Sequence, residues 1–178
     1  MGEQESAVTL RAAAIEAGDS SDADALLAGV AARMQREGWR VRGLLMTYPD
    51  GRQTCAAPMV LVDLQTQQPY LVSQSLGSGS NGCRVDPQGF ARASEVLRHA
   101  LDEAPDLVIC NRFGGLEAAG GGFCQELLAL LSSDLPVLTA VSPRYREARD
   151  AFTGGATVLP ARDDAIAAWL EQTLGERA

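Results

Sequence analysis

The sequence predicts a three-layer α/β fold: a parallel-dominated sheet with helices on both faces and a β-hairpin inserted beside it. Strand-like apolar runs alternate with segments of helical period, the order that yields a parallel sheet flanked by helices. Asp106-Leu107-Val108-Ile109-Cys110-Asn111 is almost continuously apolar, as a strand buried on both faces must be. Glycine-rich stretches follow predicted strands, where such sheets place their ligand loops.

The elements follow in chain order. Residues 1–8 are polar and read as a frayed N-terminus, and residues 9–178 as a single α/β domain. Thr9 to Ile15 reads as the first strand. Asp19-Ser20-Ser21-Asp22 offers N-caps for a helix over about Ala23 to Glu37, with Leu26, Leu27, Val30, Ala31 and Met34 at helical spacing and Gly38 as the stop. Val41 to Tyr48 is a strand. Met59 to Leu64 and Tyr70 to Gln74 form a hairpin around Gln65 to Pro69. A glycine-rich loop, Leu76 to Cys83, precedes a helix capped by Asp86 with Pro87 at its first position. That helix aligns Phe90, Ala93, Val96, Leu97, Ala100 and Leu101 on one face. After the Asp106–Asn111 strand come a helix at Gly122 to Leu131, a strand at Val137 to Val141 and a helix at Arg144 to Phe152. A short strand at Ala156 to Leu159 and a last helix at Asp163 to Leu174 complete the order.

The composition narrows the chemistry. All 15 basic residues are arginine, so the chain has no lysine for a Schiff base or a Walker-type phosphate clamp. The net charge of −8 disfavours nucleic acid and anionic lipid as partners. Four cysteines without a Cys-x-x-Cys pair, and His99 alone among histidines, supply no zinc set. No leader-like start and no membrane-length apolar run is present, so the expected location is the cytoplasm, with reduced thiols.

Three loops leave strand ends and are candidates for a site: Gly18 to Asp22, Asn111 to Gly122, and Ser142-Pro143-Arg144. Gly77-Ser78-Gly79-Ser80-Asn81-Gly82 matches G-x-G-x-x-G, but it follows a hairpin and ends well before Pro87, unlike a dinucleotide fingerprint. It reads either as a flexible turn or as a nest of N–H groups holding an anion with Ser78, Gly79, Ser80 and Arg84. Gly115 and Gly120 have the glycine spacing of a phosphate loop, with Gly121-Gly122 where Lys and Ser/Thr would stand. Asp19 and Asp22 oppose an anion at the first helix and suit caps better. Asn111-Arg112-Phe113-Gly114-Gly115-Leu116-Glu117 brings Asn111, Arg112, Gly114 and Glu117 onto one loop. The plain alternative there is an Arg112–Glu117 surface ion pair. Arg144 and Arg146 add charge-assisted donors, or sit on a solvated helix start. His99 lies off its helix's apolar face, and no catalytic triad is apparent.

Gln74-Ser75-Leu76-Gly77 through Gly82-Cys83-Arg84-Val85-Asp86, with Asn111-Arg112-Phe113-Gly114, Glu117 and Gly120, resembles a bacterial family of unknown function. Its genes often lie beside molybdate-transport and molybdenum-enzyme genes. The likeness runs from about Ala12 to Leu170. That family is similar to small P-loop nucleoside-triphosphatases in degenerate form, which implies a degenerate P-loop-like fold. This chain departs from the pattern in two ways. Asn111 and Arg112 stand where those enzymes have acids serving magnesium and water. Arg112 and Gly115 stand where family members often carry lysine and a longer side chain.

The resemblance implies a role in handling molybdate or a related oxyanion, by binding or regulation; with the missing catalytic groups, the expected function is a non-catalytic cytoplasmic binding or regulatory protein. Its ligand is expected to be a small oxyanion (molybdate or tungstate) or a phosphate-bearing ligand such as a nucleotide. The expected ligand-binding residues are Ser78, Gly79, Ser80, Arg84, Asn111, Arg112, Gly114, Glu117 and Arg144, with no catalytic or metal-ligating set. Expected partners are the anion and proteins of molybdate transport or molybdenum enzymes, with a homo-oligomer left open. Two alternatives stay open. One is a divergent nucleoside-triphosphatase using Arg for Lys and Glu117 as water-positioning base. The other is an interaction scaffold with a vestigial pocket.

Overall fold

The computed structural model describes residues 10–49, 57–74 and 85–175. Among these residues, seven strands form one sheet in the order β4-β3-β2-β5-β6-β1-β7. Strands β1 (Ala12–Glu16), β2 (Val41–Thr47), β5 (Leu107–Cys110), β6 (Val137–Val141) and β7 (Thr157–Pro160) run parallel. Strands β3 (Val60–Asp63) and β4 (Pro69–Leu71) are the antiparallel hairpin, added at one edge. Pro69 lies within β4, which an edge strand tolerates because it has a ladder side to spare.

Among the described residues, five helices cover the sheet and a sixth is a single turn. Helices α1 (Ser20–Arg36) and α6 (Asp163–Leu174) pack on one face, burying Leu27, Val30, Met34, Ile166 and Trp169 against Ile15, Ile109 and Leu138. On the other face, α2 (Pro87–Glu103), α4 (Cys124–Leu131) and α5 (Arg146–Thr153) cover Leu44, Val108 and Cys110. Helix α3 (Gly115–Ala118) is a single turn between β5 and α4. The α/β, mainly parallel architecture expected from the sequence is therefore the one present.

Several boundaries differ from the sequence expectation. The first strand is Ala12–Glu16, later than the expected Thr9 to Ile15, and α1 begins at Ser20 instead of Ala23. The expected helix at Arg144 opens as a 3-10 turn over Pro143–Tyr145, because Pro143 fixes the first turn and α5 regularises only after it. Asp86 caps α2 as expected, accepting from the Gln88 N–H at 3.0 Å. The central seam is tight. Gly43 sits at φ +128° opposite Ile109, and a Cβ there would lie 1.8 Å from the Ile109 carbonyl oxygen.

Candidate functional site

The connections set the position of the site. The chain leaves β1 through α1 toward β2 on one face, and leaves β6 through α5 toward β7 on the other. Since β1 and β6 are neighbours, their following helices diverge and open a crevice at the carboxyl ends of the strands. A cleft of about 190 Å³ lies there, lined by Ala17 and Ala23, by Arg112 to Gly115, by Ala140 to Ser142, and by Tyr145. Parts of two of the three candidate loops thus meet at one place, with Ala17 and Ala23, the residues flanking the Gly18 to Asp22 loop, beside them. Drug-sized ligands occupy pockets of about 300–1,000 Å³, so this cleft suits something smaller.

The small residues keep it open. Ala17 and Ala23 add only methyl groups. A Cβ on Gly115 would stand 2.9 Å from the Tyr145 hydroxyl oxygen, so the bare glycine lets that ring reach the cleft wall. The first turn of α1 begins beside it at Ser20 and carries N–H groups beyond the reach of the helix's own carbonyls.

Arg112 is the cationic side chain of the wall. Its stem runs along Gly114, and its Nη2 donates to Asp24 Oδ1 on α1 at 2.7 Å. The alternative that the sequence left open, an Arg112–Glu117 ion pair, is not formed; Arg112 pairs with Asp24. The other Asp24 oxygen, Oδ2, is buried with no hydrogen-bond partner among the described residues. Burial raises the Asp24 carboxyl above its ordinary range, against the lowering effect of Arg112, with Asp19 adding to the rise. Tyr48, at the end of β2, is raised by burial as well, and it feels both Arg112 and Asp24. A second ion pair flanks the cleft, with Arg146 Nη1 at 3.2 Å from Glu16 Oε2 and Nε at 3.7 Å from Asp150. These partly exposed pairs contribute about 0–1 kcal/mol each. Their larger effect is to place the guanidinium groups.

The structure places the other expected residues as follows. Asn111 is buried, and its Oδ1 accepts the Met46 N–H at 2.9 Å, pinning β2 to the exit of β5. Glu117 is buried at 6% exposure, and both its oxygens are on backbone: Oε2 accepts from Gly114 N at 3.0 Å and Oε1 from Phe123 N at 3.1 Å. It is neither Arg112's partner nor turned to the cleft. Gly114 lines the cleft as the loop's first glycine. Arg144 is exposed and stacks its guanidinium 5.3 Å from the Tyr145 ring centre. Ser78, Gly79, Ser80 and Arg84 lie outside the described residues.

Sequence reasoning missed Asp24 and Arg149. Arg149 is buried at 2% exposure and donates to the carbonyls of Ala156 at 2.7 Å and Thr157 at 3.1 Å, clamping the entry to β7. Asp24 left a faint signal. It is an acid in line with Leu27 and Ala31, on the helical stripe that packs inward.

Other reactive groups are subdued. Burial, then the charges of Glu117 and Glu126, push the Cys110 and Cys124 thiols up, so neither is a ready thiolate. His99 is exposed. Among the described residues no three His, Cys, Asp or Glu side chains gather as a metal site, and no helix is long and apolar enough to cross a membrane. A broader groove of about 500 Å³ lies between α2 and α4, lined by Phe90, Ser94, Leu116, Gly121 and Cys124 among others.

Comparison with known proteins gives a relative and a family. The chain is 37% identical over 164 residues to the molybdenum import ATP-binding protein ModC 2 of Bradyrhizobium diazoefficiens. That match covers 92% of this chain but only 18% of the relative's length. No solved structure matches the chain. The mostly parallel sheet with helices on both faces is consistent with a P-loop-like nucleoside-triphosphatase fold. The model of the DUF2478 family, proteins of unknown function, matches residues 12–169, and the chain belongs to that family.

Proposed function

We propose that the chain is a non-catalytic, cytoplasmic binding and regulatory module that takes a small oxyanion in the switch-point cleft. Molybdate or tungstate is the preferred ligand, and a phosphate group is the second choice. The observation that carries this reading is the cleft itself, about 190 Å³ at the strand carboxyl ends with Arg112 as its cationic wall. A tetrahedral oxyanion with a few waters suits that space, since each water takes about 30 Å³ of liquid volume.

Two further features support the reading against a nucleoside-triphosphatase. The chain has no lysine to clamp terminal phosphates, and Asp19 and Asp22 stand beside the start of α1. The Glu117 carboxylate, the one candidate for a water-positioning base, is held by two backbone N–H groups. The link to molybdenum rests on the relative's name, and that relative is far longer than the matched stretch. A module within or beside an import ATP-binding protein would sense the transported anion rather than drive transport.

The test is a thermal-shift panel of molybdate, tungstate, sulfate, phosphate, ATP and GTP, each with and without magnesium. A ligand at about 100 times its Kd adds about 2.7 kcal/mol, a rise of several degrees for this size. The expected result is a shift with molybdate or tungstate, absent with sulfate and lost in Arg112→Gln. A magnesium-dependent shift with ATP would replace this reading with the enzyme.

One observation favours a second reading, an interaction scaffold. The groove between α2 and α4 is lined by Leu116 at 37% exposure, and Leu128 on α4 is exposed at 55%, large apolar side chains that a binding partner would cover. Silence across the ligand panel together with loss of a native complex in Leu128→Glu would put the scaffold first.

A further inference from the structure

The Arg112–Asp24 pair places a carboxylate on the same guanidinium that an anion in the cleft would use. The pair spans two elements, the exit of β5 and the first turns of α1, so it cannot be dismissed as a local helix contact. Only one oxygen of Asp24 is satisfied. Oδ2 is buried without a hydrogen bond, so the ionised carboxylate is under-compensated from the start.

A second negative charge brought onto Arg112 would worsen that imbalance, and a proton from solvent on Asp24 would relieve it. Neutral Asp24 can still accept the Arg112 hydrogen bond through its carbonyl oxygen, so protonation leaves the guanidinium in place while giving its charge to the ligand. Among the described residues, the titratable groups facing Asp24 are Arg112 from the exit of β5, Tyr48 from the end of β2, and Asp19 ahead of α1. Of these only Arg112 favours the ionised form, and burial outweighs it.

We propose that Asp24 makes anion capture in this cleft proton-linked: the bound anion converts Asp24 to its neutral acid, and ionised Asp24 holds the site at low affinity. The proposal rests on the anion reading of the cleft and adds its regulation. Affinity then rises as pH falls, because the complex holds one more proton than the free protein. The carboxylate thereby sets a threshold, so that the anion is retained more firmly in an acidifying compartment.

The experiment is titration calorimetry with sodium molybdate between pH 6.5 and 8.5, in two buffers of different ionisation enthalpy, with the full chain and two variants. For the unaltered protein, Kd should fall about tenfold from pH 8.5 to 6.5, with proton uptake averaging about half a proton over that range. Asp24→Asn should bind at pH 8.5 as tightly as the unaltered protein does at pH 6.5, with a flat profile. Asp24→Glu should keep the slope, a result that a merely structural role for Asp24 does not predict. A flat profile in the unaltered protein overturns proton linkage while leaving anion binding intact. So does weaker binding by an Asp24→Asn variant whose near-ultraviolet dichroism is native. Absence of molybdate binding in every variant overturns both the anion reading and this proposal.

Discussion

At the scale of single residues, Glu117 braces the loop at the cleft. Its carboxylate holds the N–H groups of Gly114 and Phe123, one at the start of α3 and one at the start of α4. Glu117→Gln retains one acceptor oxygen but turns an amide NH2 toward the other N–H, leaving a buried donor unsatisfied. The expected cost is about 1–3 kcal/mol, read from the urea midpoint, and unchanged stability would contradict the brace. The role was half legible. Glu117 stands three positions after Gly114, the spacing of a capping box, but its charge beside Arg112 suggested an ion pair instead. Arg112's partner was out of reach of such reading because Asp24 lies 88 residues away and meets it only through the fold.

At the scale of elements, apolar runs flanked by breakers were easy to place. The strand at Leu107–Cys110 and the helix from Pro87 fall where their patterns put them, one continuously apolar and the other capped by Asp86 and Pro87. The start of α1 was blurred because Asp19, Ser20, Ser21 and Asp22 are all good caps. Helix α3 left no trace, since Gly-Leu-Glu-Ala is one turn and a single turn shows no period. The β2–β5 seam gives the sharpest test at this scale. Gly43→Ala puts a methyl group 1.8 Å from the Ile109 carbonyl oxygen at a backbone φ of +128°. The two strands must part or bend, and the expected loss exceeds about 3 kcal/mol, seen as a fall in Tm or failure to fold. A native Tm would show that the seam is looser than the structure has it.

At the scale of the molecule, the alternation of strands and helices announced a parallel sheet but not its order. Alternation does not say that β1 sits between β6 and β7, and that neighbour relation is what opens the cleft. The site is therefore distributed, with β1, β5 and β6 each contributing one side. Hydrogen exchange should register this. Saturating molybdate is expected to slow the amides of 17–23, 112–115 and 141–145 together, while the base of the sheet near Trp39 and Leu174 stays unchanged. Protection confined to one of those loops would mean that the anion sits elsewhere.

The position of β1 also dictates when the molecule can exist at all. Ala12 pairs with Val137, and Ala13 pairs with both Leu138 and Thr157, so β1 finds both its neighbours in strands made well after it. At a synthesis rate of about 5–20 residues per second, β1 waits on the order of ten seconds before either partner has left the ribosome. Its Ala-Ala-Ala-Ile-Glu sequence has little large apolar surface to hide during that wait. A nascent chain of this kind is safest when a strand that must wait for its partners has little to stick with, and β1 is such a strand.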